Sequence, residues 1–304
     1  MDTYVLKTNN LTKQYGQTFA VHHVDMKIKK GEIYGFIGKN GAGKTTLMKM
    51  IAGIASPTDG DFELFGSSDL NKQRKRIGAS IENPSIYPYL TAAQNLEVYC
   101  LLLGITDKEV IPKTLKLVNL ENTGKKIAKN FSLGMKQRLE IGIALLGNPD
   151  FLILDEPING LDPEGIKQIR ELLIALNKEK QITILISSHI LGELEKFATY
   201  YGIINNGILV EQFSKEELES RCKRSIRLKV DYVERATRVL EEKLNTKNYD
   251  ILPENTIRLF DYVEDAGLVN TTLAQENITI SELVVQDQDL EGYFMELMGG
   301  EGHA

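Results

Sequence analysis

Gly31-Glu32-Ile33-Tyr34-Gly35-Phe36-Ile37-Gly38-Lys39-Asn40-Gly41-Ala42-Gly43-Lys44-Thr45-Thr46 decides the fold. Its first seven residues read as a short apolar strand that runs straight into glycines, and the glycines must be followed by a helix. Over Thr45 to Ala52, Leu47 pairs with Ile51 and Met48 with Ala52 at i,i+4, and Gly53 stands where a helix stops. Gly38 to Thr45 fits G-x-x-x-x-G-K-[ST], a loop whose backbone N–H groups curl around a phosphate while the next helix points its positive end at it. The predicted phosphate-binding set is Gly38, Lys39, Asn40, Gly41, Ala42, Gly43, Lys44, Thr45 and Thr46.

Such a loop calls for a metal carboxylate on a neighbouring strand. Phe151 to Leu154 is a continuous apolar run ending in Asp155 and Glu156, and Ile182 to Ser187 is a second such run. Between them Asp162 can cap a helix, Pro163 suits its first turn, and Ile166, Ile169, Leu173 and Leu176 recur at helical spacing. The pattern is a strand–helix–strand unit of a parallel sheet, whose ligands collect at the carboxyl ends of strands. Thr45 and Asp155 would then hold Mg²⁺, and Glu156 would polarise an attacking water. Alone, two acids at a strand end are as often a solvated turn; the upstream loop favours the functional reading.

Asn130-Phe131-Ser132-Leu133-Gly134-Met135-Lys136-Gln137-Arg138 precedes an apolar helix, Leu139 to Leu146. With the phosphate loop and the acidic strand in this order, the chain resembles the ATP-binding subunits of ABC transporters, whose signature reads L-S-G-G-Q. The match keeps Ser132 and Gly134 and substitutes Phe131, Leu133 and Met135. The resemblance covers residues 3 to about 215. It implies ATP and Mg²⁺ as cofactors, Tyr15 as the ring stacked on adenine, Glu156 as catalytic, and His189 as the catalytic switch histidine that contacts the γ-phosphate. Asn159 to Asp162 would be the loop crossing a dimer interface. Ser132, Gly134 and Met135 would contact the γ-phosphate held by a second copy. His22, His23 and His303 receive no role.

One departure points to a branch. The family commonly has glutamine after a central strand, read here as Lys75 to Ile81, but this chain continues Glu82-Asn83-Pro84. Glu82 is therefore a candidate third metal acid beside Asp155 and Glu156. With the altered signature and the tail Leu290 to Leu297, it resembles the bacitracin-export and lantibiotic self-protection branch. That branch implies export of an antimicrobial peptide, separate transmembrane permease subunits, and a position on the cytoplasmic face of the membrane. The segment Glu82 to Leu90 and the helix Leu96 to Leu103 would receive the permease. Export of a drug, a sodium ion or a lipid is the alternative, and a regulatory ATPase acting on translation or DNA is remote.

Composition narrows the field. With 304 residues, 36 Lys and Arg against 42 Asp and Glu leave a net charge of -6, which disfavours nucleic acid as a partner. No secretory signal opens the chain and no apolar run approaches the roughly 18 residues of a membrane span. Cys100 and Cys222 lack metal or disulfide spacing, and Cys100 reads as core.

The predicted architecture is α/β. An ABC-type nucleotide-binding domain, residues 1–218, has a RecA-like core, an antiparallel β subdomain and a helical subdomain. Asn206-Gly207 between two apolar runs predicts the hairpin that closes it. Residues 219–304 follow as an accessory α+β domain in the ferredoxin-like order βαββαβ, with a final helix over Leu290 to Met298.

Overall fold

The computed structural model describes residues 4–82, 86–221, 224–286 and 290–297. The chain folds as two units, Met1–Lys215 and Glu216–Ala304. The division falls a few residues before the 218/219 boundary expected from the sequence.

The first unit opens with β1 (Tyr4–Tyr15), β2 (Thr18–Val24) and β3 (Lys27–Lys29), followed by β4 (Ile33–Ile37), α1 (Lys44–Ala52) and β5 (Asp59–Leu64). β1 pairs antiparallel with β2, β3 and β5 to form a four-stranded sheet. Next come α2 (Leu70–Gln73), β6 (Ile77–Ser80), and the helices α3 (Ala92–Leu103), α4 (Val110–Leu117) and α5 (Leu133–Leu145). The unit ends with β7 (Phe151–Leu154), α6 (Pro163–Lys180), β8 (Thr183–Ser188), α7 (Leu191–Glu195), β9 (Tyr200–Asn205) and β10 (Ile208–Ser214).

A six-stranded sheet runs in the order β10-β9-β4-β8-β7-β6, and all its pairs are parallel except β9 with β10. Every residue of β4, β7 and β8 is buried. That is why these strands read as unbroken apolar runs: parallel strands are covered on both faces. Because β4, β6, β7 and β8 run the same way, the residues that follow them emerge at one edge of the sheet. The phosphate loop, Glu82, Asp155–Glu156 and His189 all lie there. The strand predicted as central over Lys75–Ile81 is β6, which is shorter and, among the described residues, pairs only with β7. Strand order puts it at the edge of the sheet, and it is shorter because Arg74–Arg76 coil into a 3₁₀ turn in which Arg74 donates to the carbonyls of Met50 and Ile51 at the end of α1.

The Asn206-Gly207 hairpin does more than close the sheet. Both residues adopt positive φ, 47° and 80°, as a two-residue turn with the right twist requires. The Gly207 N–H donates to the Ala42 carbonyl at 2.9 Å, and its carbonyl accepts the His22 N–H at 2.8 Å. A Cβ at Gly207 would lie 3.0 Å from the Ala20 carbonyl. The turn therefore joins the phosphate loop to β2.

In the helical subdomain, Thr91 and Gln94 form a capping box that starts α3, and Gly104 ends it at φ 68°. Cys100 is buried and free, as its apolar context predicted. The last residues of α3, Leu101, Leu102 and Leu103, stand 57–76% exposed.

The second unit begins within α8 (Lys215–Arg221) and contains β11 (Ser225–Val230), α9 (Val233–Lys243), β12 (Tyr249–Leu252), β13 (Thr256–Leu259), α10 (Ala266–Gln275), β14 (Ile280–Gln286) and α11 (Leu290–Leu297). Its sheet, β12-β13-β11-β14, is antiparallel throughout, the arrangement that βαββαβ connectivity produces. Ile226, Leu228, Ile257 and Leu259 pack with Ala236, Leu240, Val269 and Leu273 in a core of their own. Asn83, Pro84, Cys222, Met298 and His303, named in the sequence reading, lie outside the described residues.

Each unit has its own core, and every candidate site residue lies in the first. A chain ending at residue 218 is therefore expected to fold and to bind Mg-ATP within a few-fold of the full chain, measured by calorimetric titration. A folded fragment that does not bind would make the second unit part of the site.

Candidate functional site

The phosphate loop is shaped by glycine. Gly43 sits at φ 110°, and a Cβ there would lie 2.3 Å from the Ala20 carbonyl, so only hydrogen fits between loop and β2. α1 begins at Lys44 with no side-chain cap and no acid in its first turn, which leaves its N-terminal N–H groups for an anion. Ala20, Asn40, Gly41, Ala42, Gly43, Lys44, Thr45, Thr46 and Glu156 line the resulting cavity. Lys44 is 5% exposed. Its Nζ donates to the Gly38 carbonyl at 2.6 Å and lies 3.4 Å from Glu156 Oε1.

The acids of β7 meet this loop. Thr45 Oγ1 donates to Asp155 Oδ2 at 2.7 Å, and Ser187 Oγ donates to Asp155 Oδ1 at 2.6 Å. Ser187 Oγ also accepts the Glu156 N–H at 2.9 Å, while the Asp155 N–H donates to the Ser80 carbonyl. The strands β6, β7 and β8 are thus tied together where the acids emerge. Glu156 adopts φ 52°, uncommon for a non-glycine residue. Its Oε2 lies 2.8 Å from His189 Nδ1. Its Oε1 is buried without a hydrogen-bond partner, since the contact to Lys44 is electrostatic and too long for a bond.

A hydroxyl and a carboxylate in contact beside a cradle of N–H groups are oxygen donors suited to Mg²⁺. The orphaned Glu156 Oε1 in the same cavity fits a site completed by nucleotide and water. The residues present therefore fit Mg-ATP.

Ser187 was not foreseen as part of the site. Its signal was an apolar strand, Ile182 to Ile186, ending in Ser187-Ser188 beside an acidic strand end. Lys49 was missed too. Its Nζ lies 2.6 Å from Glu82 Oε1, and among the described residues no group of three or more Asp, Glu, His or Cys could hold a metal. In this structure Glu82, the third candidate metal acid, is paired with a lysine. Tyr15 ends β1 opposite Thr18, is 54% exposed, and lies under Lys13 Nζ at 5.0 Å from its ring centre. It does not line the cavity; Ala20 of β2 does.

Ser132 caps α5, its hydroxyl accepting the Met135 N–H at 3.3 Å. Leu133 packs over Gly160, and Leu161 approaches Gly134, so the start of this helix rests on the Asn159–Asp162 loop. Deeper in α5, burial pushes the Glu140 carboxyl up to about 7 against the opposing pull of Lys136.

Phosphate loop, parallel sheet and acidic strand end together define a P-loop nucleotide-binding protein. The ABC transporter family model matches residues 21–159. An uncharacterized ABC transporter ATP-binding protein of Bacillus subtilis is 44% identical over 98% of each chain. A bacitracin transport ATP-binding protein of Bacillus licheniformis is 40% identical over 97% of this chain and 98% of its own. A lantibiotic transport ATP-binding protein of Streptococcus pyogenes is 43% identical over 71% of this chain and 94% of its own. Among solved structures, a dimeric ATP-binding cassette, MJ0796, in a post-hydrolysis state with ADP and phosphate, superposes with TM-score 0.62 at 27% identity, covering 69% of this chain and 98% of its own. The chain belongs to the ATP-binding subunits of the ABC transporter family. It is an ATPase that uses ATP and Mg²⁺.

Two outcomes follow from this geometry. Ser187→Ala removes a buried hydroxyl that serves both acids, and leaving the Glu156 N–H without its partner is expected to cost about 1–3 kcal/mol in urea unfolding. ATP turnover should fall as well; unchanged stability and turnover would remove Ser187 from the site. The folded Glu140 carboxyl binds its proton more tightly than the usual 4.5, so stability should decline as pH rises from 4.5 to about 7. Glu140→Gln should flatten that decline and raise stability above pH 7 by roughly 1–2 kcal/mol. An unaltered profile in pH-dependent melting would contradict it.

Proposed function

We propose that the chain is the ATP-hydrolysing subunit of an exporter that removes an antimicrobial peptide, of bacitracin or lantibiotic type, from the membrane. Proteins of this family dimerise and work with transmembrane permeases. Two copies of this chain would dock on separate permease subunits at the cytoplasmic face. Among the described residues no helix is long and apolar enough to cross a membrane. The observation that carries the catalytic reading is the joining of Thr45, Asp155, Ser187, Glu156 and His189 at one sheet edge.

Each residue has a distinct task. Lys44 neutralises the β- and γ-phosphates, and the first turn of α1 supplies N–H donors. Thr45 and Asp155 would hold Mg²⁺, which when bound neutralises charge on the phosphate oxygens. Glu156 takes the proton of the attacking water, and His189 Nδ1 orients Glu156. Tyr15, at the end of β1, stacks on the adenine. Ser132, Gly134 and Met135, at the start of α5, close over nucleotide held by the other copy, so binding closes the pair and hydrolysis opens it.

The cargo reading draws on the relatives. The bacitracin relative spans 97% of this chain, whereas the lantibiotic relative spans 71%. The apolar residues left open on the helical subdomain, Tyr87, Tyr89 and Leu101 to Leu103, suit a permease contact.

Glu156→Gln keeps shape and hydrogen bonding but removes the base. ATP should still bind, turnover should drop by roughly 10² or more, and the ATP-bound pair should accumulate on gel filtration. Cells relying on this subunit should lose resistance to the peptide. Near-parental hydrolysis would place the base elsewhere, and retained resistance with abolished hydrolysis would sink the export reading.

A further inference from the structure

We propose that Lys49 is a positioning residue of the nucleotide site: its ammonium holds and neutralises the Glu82 carboxylate, keeping a third acid from repelling the triphosphate. The proposal rests on reading this site as a nucleotide site.

Three carboxylates emerge at the ends of β6 and β7, and the structure gives each a different partner. Asp155 accepts from the hydroxyls of Thr45 and Ser187. Glu156 faces Lys44 and His189. Glu82 pairs with Lys49 at 2.6 Å. β6 and β7 are in parallel register with Ser80 opposite Leu154, so Glu82 and Glu156 each follow their strand by two residues at the same edge of the sheet. Lys49 follows Thr45 by one helical turn, and residues at i and i+4 share a face about 5–6 Å apart. The Glu82 carboxylate is therefore held by a lysine one helical turn along α1 from Thr45, which contacts Asp155.

The lysine is placed for this work. Its side chain is only 26% exposed, in the last turn of α1, where a helix favours positive charge. Glu82 is 62% exposed and adopts φ 52°, leaving the strand in a conformation that an acid adopts only at some cost. An exposed ion pair adds little to stability. Its consequence is electrostatic: without Lys49, Glu82 leaves an uncompensated negative charge at the sheet edge that receives a ligand of high negative charge.

The test measures ATP binding to the full chain in EDTA, with no divalent metal, for the parent, Lys49→Met, Lys49→Arg, Glu82→Gln and the Lys49→Met/Glu82→Gln double variant. Lys49→Met should weaken metal-free binding about five-fold at low ionic strength, and most of that loss should vanish near 1 M salt, where the screening length is about 3 Å. Lys49→Arg should bind as the parent does. The double variant should recover parental affinity, because removing the acid removes the need for its counter-charge. If Lys49 served only to pack α1, Glu82→Gln would not rescue it. A double variant as weak as Lys49→Met, or Lys49→Met equal to the parent, overturns the proposal. A parent that does not bind ATP at all would overturn the nucleotide reading itself, a result distinct from a loss confined to Lys49→Met.

Discussion

The Asp155 carboxylate, gripped by Thr45 Oγ1 on one side and Ser187 Oγ on the other, is the contact on which the site depends. It joins the phosphate-loop helix to two strands of the parallel sheet. Each of its parts is supplied by an element whose burial fixes its position: Phe151 to Leu154 and Thr183 to Ser188 are covered on both faces. Close-packed strands leave the acids little freedom, so the chemistry inherits the rigidity of the core. Glu156 and His189 extend the same arrangement outward, where a water and a phosphate can reach it.

What the sequence revealed followed from local rules. G-x-x-x-x-G-K-T is a backbone requirement, visible because glycine alone fits where Gly43 passes the Ala20 carbonyl. Asn206-Gly207 was legible for the same reason, as were the caps at Asp162 and Gly53 and the βαββαβ order of the tail. What stayed hidden was long-range. Nothing in the composition of Ile77 to Ser80 says that the strand lies at the sheet's edge, since strand order is a tertiary property. Ser187 looked like the polar end of a strand, and Lys49 like one more basic residue in a last helical turn. Their roles appear only when partners 30 or so residues away are brought within bonding distance.

Glu82 shows how one departure from a motif opens two expectations. An acid at a position where the family often has an amide suggests a metal ligand, and Coulomb's law makes the opposite expectation equally reasonable: three carboxylates gathered around one anion would repel it. The structure shows Glu82 beside a cation of its own, Lys49. The exposed leucines that end α3 follow a related logic, because an isolated subunit has no reason to leave three of them in water.

The central claim is that the site is shared, with the phosphate loop of one copy completed by the α5 start of another. Mixing Lys44→Ala, which lacks the phosphate cation, with Ser132→Arg, which blocks the helix start, tests it most directly. In mixed pairs one site combines an intact Lys44 with an intact Ser132. The account predicts that ATP hydrolysis, absent from either variant alone, returns on mixing to about a quarter of the parental rate, for random two-fold pairing and independent sites. A mixture no more active than its components would contradict it.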